Sequence, residues 1–197
     1  EFRRVLFRSV ADARTMKEEM RAARTGLSGH VRIAAIPTAL SLIPRITAPF
    51  QEKHPDVTFS IQSATSLQIM SRLDNLETDI GITYLENEPL GRVVTVPLIE
   101  ERYHLVMARS ATADKITAIT WREASQMPLC LLTADMQNRR IINRHMAEAG
   151  GTVAPRLESN SMIVLFTHVL TGRWASIMPL EAARSFGFVD QVVVVPL

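Results

Sequence analysis

Apolar and polar positions fall in blocks along this chain, and the period of the blocks changes. From Val10 to Thr25 neither glycine nor proline interrupts a run of helix formers. Ala13, Met16, Met20, Ala23 and Leu27 are spaced 3, 4, 3 and 4 residues apart. That rhythm predicts a linker helix over 10–27 with an a/d seam for another copy, although a helix packed on its own domain shares the spacing. Gly26 and Gly29 end it and open a hinge. Apolar runs rich in β-branched residues then alternate with helical windows. His30–Ile36 reads as a strand, and Ser41–Lys53 as a helix with Pro44 in its first turn and Pro49 as a kink. Val57–Gln62 is a strand, Ser66–Asn75 a helix and Ile80–Thr83 a strand. Strands alternating with helices predict an α/β fold, its parallel sheet covered on both faces.

A second unit repeats the alternation. Tyr103–Ala108 and Leu129–Leu132 read as strands, Asn138–Ala149 as a helix stopped by Gly150 and Gly151, and Arg156–Glu158 as extended. Ser161–Leu170 reads as a helix, Trp174–Met178 as a strand closed by Pro179, and Gln191–Val195 as a last strand. No helix comes after it to cover those valines. A bare apolar strand there is an aggregation hazard, which suggests truncation at the C-terminal end. Residues 1–9 do not continue into the helical pattern that begins at Val10, and read as an artefactual leader, a cloning scar or mis-joined frame.

Charge changes the picture little. The net charge is +2, and residues 1–27 hold seven basic against four acidic side chains, so the remaining body is slightly acidic. It offers no electrostatic footprint for a phosphate backbone. The lone Cys130, inside an apolar run, permits neither an internal disulfide nor a cysteine zinc cluster and reads as a small buried hydrophobe. No apolar run is long enough to span a membrane and no secretory signal precedes the body, so a cytoplasmic protein is expected.

Signs of catalysis are lacking. His30, His54, His104, His145 and His168 lie apart, with no metal-ligand partner at helical spacing. No nucleophile elbow, phosphate loop or dinucleotide fingerprint occurs. Glu100 and Glu101 are neighbours, so in a strand they point to opposite faces. An enzyme, a metal and a cofactor are therefore not expected. Hydroxyl residues instead recur where strands end and helices begin: Thr38, Thr65 and Ser66, Thr83 and Tyr84, Thr133, and Asn160 and Ser161. In open α/β sheets ligands bind outside the carboxyl ends of the strands, where helix N-termini favour anions. The same residues are also preferred helix caps.

At these residues a family becomes recognisable. The run LSGHVRIAAIPTALSLIPRITAPFQEKHPDVTFSI resembles the linker end and opening strand-helix-strand of the effector-binding domain of LysR-type transcriptional regulators. LETDIGI is similar to that family's acid before its third strand, here Asp79. VPLIEERYHLVMA resembles the crossover to a second subdomain, and SMIVLFTHVLTGRWASIMP a helix-turn-strand in which Trp174 replaces a customary glycine. The resemblance spans residues 10–197 and implies a type 2 periplasmic-binding-protein-like fold of two Rossmann-like subdomains, 28–101 and 102–197, the latter incomplete. It also implies a small effector, often a carboxylate or other anion, bound between them by Thr38, Thr65 and Ser66 on one side and Thr133 and Ser161 on the other, with Tyr84 near the hinge. No arginine stands at a strand end to fix charge geometry. Members form dimers and tetramers, and operator DNA is contacted only through a winged helix-turn-helix that this sequence lacks. A periplasmic-type solute-binding protein for a small anion is the alternative.

Overall fold

The structure is a computed structural model that describes residues 27–86, 90–187 and 189–197. The leader, and the expected linker helix apart from Leu27, lie outside the described residues.

In the first lobe, β1 (Gly29–Ala35) lies between β2 (Val57–Ser63) and β3 (Ile80–Ile82), parallel to both. A central parallel strand is buried on both faces, and β1 shows why its apolar run is continuous. Ile33 and Ala35 pack with Ile43, while Ala34 packs with Ile36, Ala39, Ala64 and Ile69. The helix expected over Ser41–Lys53 is divided. A 3-10 turn covers Pro37–Leu42, and α1 runs Pro44–Lys53. Pro44 has no N–H to return to the preceding turn, so the helix restarts there with proline in its tolerated first position. Helix α2 (Ser66–Asp74) lies close over β3. A Cβ on Gly81 would stand 2.6 Å from Ile69 Cγ2 and 2.9 Å from Leu73 Cδ1, so only glycine lets the helix seat so closely.

Asp79 shows what the acid before β3 does. Its carboxylate accepts from the Arg32 backbone N–H at 2.8 Å and from two guanidinium N–H groups at 2.7 and 3.1 Å, fastening the entry of β3 to β1. The Arg32 side-chain hydrogen bonds, then its backbone N–H, hold the Asp79 carboxyl below the usual aspartate range.

The second lobe departs from the all-parallel expectation. β4 (Tyr103–Ala108) pairs antiparallel with β7 (Ala175–Pro179) on one side and β8 (Val192–Pro196) on the other. β5 (Cys130–Leu132) and β6 (Leu157–Ser159) are parallel, and a bridge from Leu129 to Ala175 joins them to β7. The sheet is therefore mixed. Strand direction is hidden in the sequence because a strand buried on both faces reads the same in either sense. Two short helices add to the expected elements, α3 (Trp121–Ser125) and α6 (Leu180–Ser185). The first has a legible signal, since Thr120 and Glu123 form a reciprocal capping box. Helices α4 (Gln137–Glu148) and α5 (Met162–Leu170) cover opposite faces of this sheet. Phe166 and Leu165 pack with Val106, Cys130 and Met178, and Ile142 and Met146 with Leu105 and Leu131. Cys130 is buried, which pushes its thiol up to about 11. The last strand is not bare: Val192 and Val195 are buried, and Val193 and Val194 half-buried.

The lobes also touch away from the crossover. Helix α6 packs against the 3-10 turn of the first lobe, and Arg45 lies 3.6 Å from Glu181. Among the described residues no helix is long and apolar enough to cross a membrane.

Candidate functional site

The carboxyl ends of β1, β2, β3, β5 and β6 carry the hydroxyl residues singled out by the sequence. Thr38 is buried in the 3-10 turn after β1, its hydroxyl 3.3 Å from that of Tyr84. Thr65 is the N-cap of α2. Its Oγ1 accepts from the Gln68 N–H at 3.2 Å while Gln68 Oε1 accepts from the Thr65 N–H at 3.0 Å. The structure thus gives Thr65 the capping duty that its residue type allows. Ser66 opens the helix, and its Oγ accepts from Arg140 Nη2 at 3.3 Å, across from the other lobe.

On the second lobe, the Thr133 N–H donates to the Ser159 carbonyl at 3.2 Å. Its Oγ1 is buried and has no hydrogen-bond partner among the described residues. Ser161 occupies the N-cap position of α5 without a side-chain cap bond, its N–H donating to Ser159 Oγ at 3.1 Å. A buried hydroxyl left unpaired is costly, so Thr133 is the one of these residues whose packing does not account for its polarity.

Tyr84 stands where four chain segments meet. Its hydroxyl donates to Glu101 Oε2 at 2.7 Å, and it is approached at 3.3 Å by the hydroxyls of Thr38 and Tyr103 and by Asn138 Nδ2. Asn138 Nδ2 also reaches Tyr103 Oη at 3.3 Å. Beside it, Gln137 accepts from the Thr83 hydroxyl at 3.4 Å and donates to the Glu86 carbonyl at 2.7 Å. The first turn of α4 therefore binds the end of the first lobe through three side chains: Gln137, Asn138 and Arg140. Burial pushes the Tyr84 phenol far above its ordinary value and the Tyr103 phenol up to about 12. It also raises the Glu101 carboxyl above the usual range, against the lowering effect of the Tyr84 hydrogen bond.

Several of these residues are not singled out by the sequence. The sequence points Glu100 and Glu101 to opposite faces without saying which turns in, and Glu101 is the member that turns inward to Tyr84. No arginine is expected at a strand end, and the one that reaches across the lobes, Arg140, stands on α4. Its Nη1 donates to the Asp135 carbonyl at 2.7 Å and its Nη2 to Ser66 Oγ at 3.3 Å. Its neighbour Arg139 is structural, buried against Glu158 and the Leu132 carbonyl. His145 is half-buried and stacked on Trp121 at 4.9 Å between ring centroids. No cluster of three His, Cys, Asp or Glu that could hold a metal ion occurs among the described residues. A depression of about 420 Å³ lined by Ser125–Pro128 and Ala154–Arg156 lies at the amino ends of β5 and β6, the opposite end from Thr133 and Ser161.

Two α/β lobes with polar groups converging between them suit many proteins, and residues 24–197 match the LysR substrate binding domain family. The chain belongs to that family. Among relatives of this LysR-family chain, the HTH-type transcriptional regulator SsuR of Burkholderia cenocepacia is 23% identical over 186 residues, covering 92% of this chain and 60% of its own. The HTH-type transcriptional regulator Cbl of Escherichia coli is 26% identical over 148 residues, covering 74% and 46%. The chain thus spans about half of the length of these relatives. The effector binding domain of QuiR, solved in complex with shikimate, superposes with a TM-score of 0.71 at 21% identity, covering 86% of this chain and 81% of that one. The reduced regulatory domain of Pseudomonas aeruginosa OxyR superposes with a TM-score of 0.74 at 20% identity, covering 86% and 82%. Likeness at these identities speaks for the fold, two lobes of periplasmic-binding-protein type.

Proposed function

We propose that this chain is the ligand-sensing part of a LysR-type transcriptional regulator. In this reading a small anionic effector binds between residues 28–101 and 102–197 and biases how the lobes and subunits are arranged. Operator binding belongs to a winged-helix domain of the full-length protein, self-association to the linker helix over 10–27 and to the effector domains, and the whole to the cytoplasm. The reading is non-enzymatic. The matches to regulators support sensing over free-standing solute transport.

The observation that carries the reading is Thr133 Oγ1, buried and unpartnered among the described residues at the carboxyl end of β5. Across the lobes, Arg140 and Ser66 supply a guanidinium and a hydroxyl of the kind that hold carboxylate or sulfonate oxygens. A thermal-shift screen of metabolite anions finds the effector, because a ligand at 100 times its Kd stabilises by about 2.7 kcal/mol. Thr133→Val then removes the hydroxyl and keeps the shape. Lacking a protein partner, the hydroxyl takes little stability with it. If it donates to a charged effector oxygen, about 1.5–3 kcal/mol is lost, a tenfold to hundredfold rise in Kd by calorimetric titration. Unchanged affinity in this variant overturns the assignment of Thr133 to the site.

A further inference from the structure

A carboxyl stands at the hinge with little around it to hold a charge. Glu101 is half-buried at the end of the crossover, and among the described residues one hydrogen bond reaches it, from the Tyr84 hydroxyl at 2.7 Å. Among those residues it forms no ion pair. Asp79 shows what this fold provides for an ionised carboxylate: a backbone N–H and two guanidinium N–H groups. An acid with one neutral donor in a poorly hydrated site holds its proton more tightly. Its neighbours join the lobes. Tyr84 follows β3 in the first lobe, while Tyr103 of β4 and Asn138 of α4 reach the same phenol from the second lobe. Both of those contacts are 3.3 Å, longer than the one to Glu101.

We propose that Glu101 is a proton-operated catch at the hinge. Protonated, it stays buried on Tyr84 and the lobes hold together; ionised, it draws water into the cluster and the lobes part more easily. The step is a plain ionisation, in which the carboxyl O–H bond breaks and its proton passes to solvent. This device goes beyond the effector reading and does not depend on it.

Tyr84 faces the catch from the first lobe and Tyr103 from β4. Behind Tyr103 lie Arg144 and, at 6.4 Å between ring centroids, His145, both of α4. Glu100 and Arg102 flank Glu101 on its own segment and are exposed. Burial holds Tyr84 far above its ordinary value and pushes Tyr103 up to about 12, so neither phenol ionises near neutrality. Burial also raises the Glu101 carboxyl, whereas Asp79 and Glu123 are held low by their hydrogen bonds. The hold of the catch is therefore complete below the ordinary glutamate value of about 4.3 and is lost as pH rises through the raised one. One proton released on opening moves the ratio of open to closed forms by at most about tenfold per pH unit.

One spin label is placed in each lobe, at Glu52→Cys and Thr152→Cys, both exposed and outside the cluster, while Cys130 is buried. Label-to-label distances are measured in the ligand-free chain from about pH 5 to about pH 9, a range that both phenols cross un-ionised. The distances should lengthen or spread as pH rises. They should stay fixed in Glu101→Gln, whose amide accepts from Tyr84 and has no proton to lose. Equal movement in both proteins assigns the response to another group, His145 foremost, and overturns the proposal. Distances that ignore pH in the unsubstituted hinge overturn it as well. Should Glu101→Gln fail to fold, infrared spectroscopy of the labelled chain decides. The carbonyl stretch of a protonated carboxyl must fade over the same pH interval in which the labels part, and a stretch that is absent or fades elsewhere overturns the proposal.

Discussion

Thr65 offers a direct choice between a helix cap and a binding residue. The reciprocal bonds between Thr65 and Gln68 occupy the Oγ1 lone pair and the backbone N–H. Thr65→Val deletes the acceptor and exposes the Gln68 N–H, one of the four unpaired donors at a helix start. The residue is 8% exposed, so water replaces the lost bond poorly. A lost N-cap costs about 1 kcal/mol, and in a chain of this size that lowers Tm by about 2–4 °C. Thr65→Asn restores a cap acceptor and should melt close to wild type. Adding Gln68→Ala to Thr65→Val should cost less than the two changes made separately, because both act on one box. Calorimetric melts of wild type, Thr65→Val, Gln68→Ala, the double variant and Thr65→Asn decide this. A Thr65→Val protein that melts like wild type but binds its effector tenfold more weakly would show that the capping box is incidental and that the hydroxyl serves the ligand.

Three further outcomes concern other parts of the fold. Gly81→Ala should destabilise by about 1–3 kcal/mol in chemical denaturation, because its Cβ would press into Ile69 and Leu73, and Leu73→Ala should relieve part of that loss. Asp79→Asn should cost less than about 1 kcal/mol at neutral pH, since both partners of the Arg32 pair are about two-fifths exposed. The Asp79 pKa is depressed, so its contribution is present above the unfolded value of about 3.9 and is lost as pH falls through the folded value; urea midpoints of the pair of proteins must converge in acid. Glu101 has the opposite sign. Its pKa is raised, so its favourable contribution is complete below about 4.3 and is lost as pH rises through the folded value. Glu101→Gln should therefore gain stability relative to wild type as pH rises from acid to neutral, and a relative loss over that range refutes it.

The elements legible in the sequence and those hidden from it divide along physical lines. β1, α2 and α5 are found because apolar period and turn residues are local properties, and their bounds fall within a residue or two of those expected. Strand direction in the second lobe is not local. Apolar-polar alternation is absent from β4 because Leu105, Val106 and Met107 are all buried, leaving no polar face to fix orientation. Helix α3 escapes for another reason: five residues are too few for an apolar period to show, although its Thr-x-x-Glu cap is readable.

The candidate site divides in the same way. Hydroxyls at strand ends can be named from the chain because the rule that places ligands there depends on element order alone. Their partners cannot, since Glu101, Tyr103 and Asn138 come from segments up to 54 residues away from Tyr84 and share no spacing with it. Glu101 illustrates the point. Adjacency to Glu100 says only that the two carboxylates point to opposite faces, and only the crossover of the chain turns Glu101 onto a buried phenol. Chemistry that depends on where a proton points is a property of the assembled cluster. A residue's type gives what it can donate or accept, but its neighbours decide which of the two it does: Thr65 has a hydrogen to offer an anion, and the Gln68 backbone N–H, 3.2 Å away, holds its oxygen as the acceptor of a helix cap.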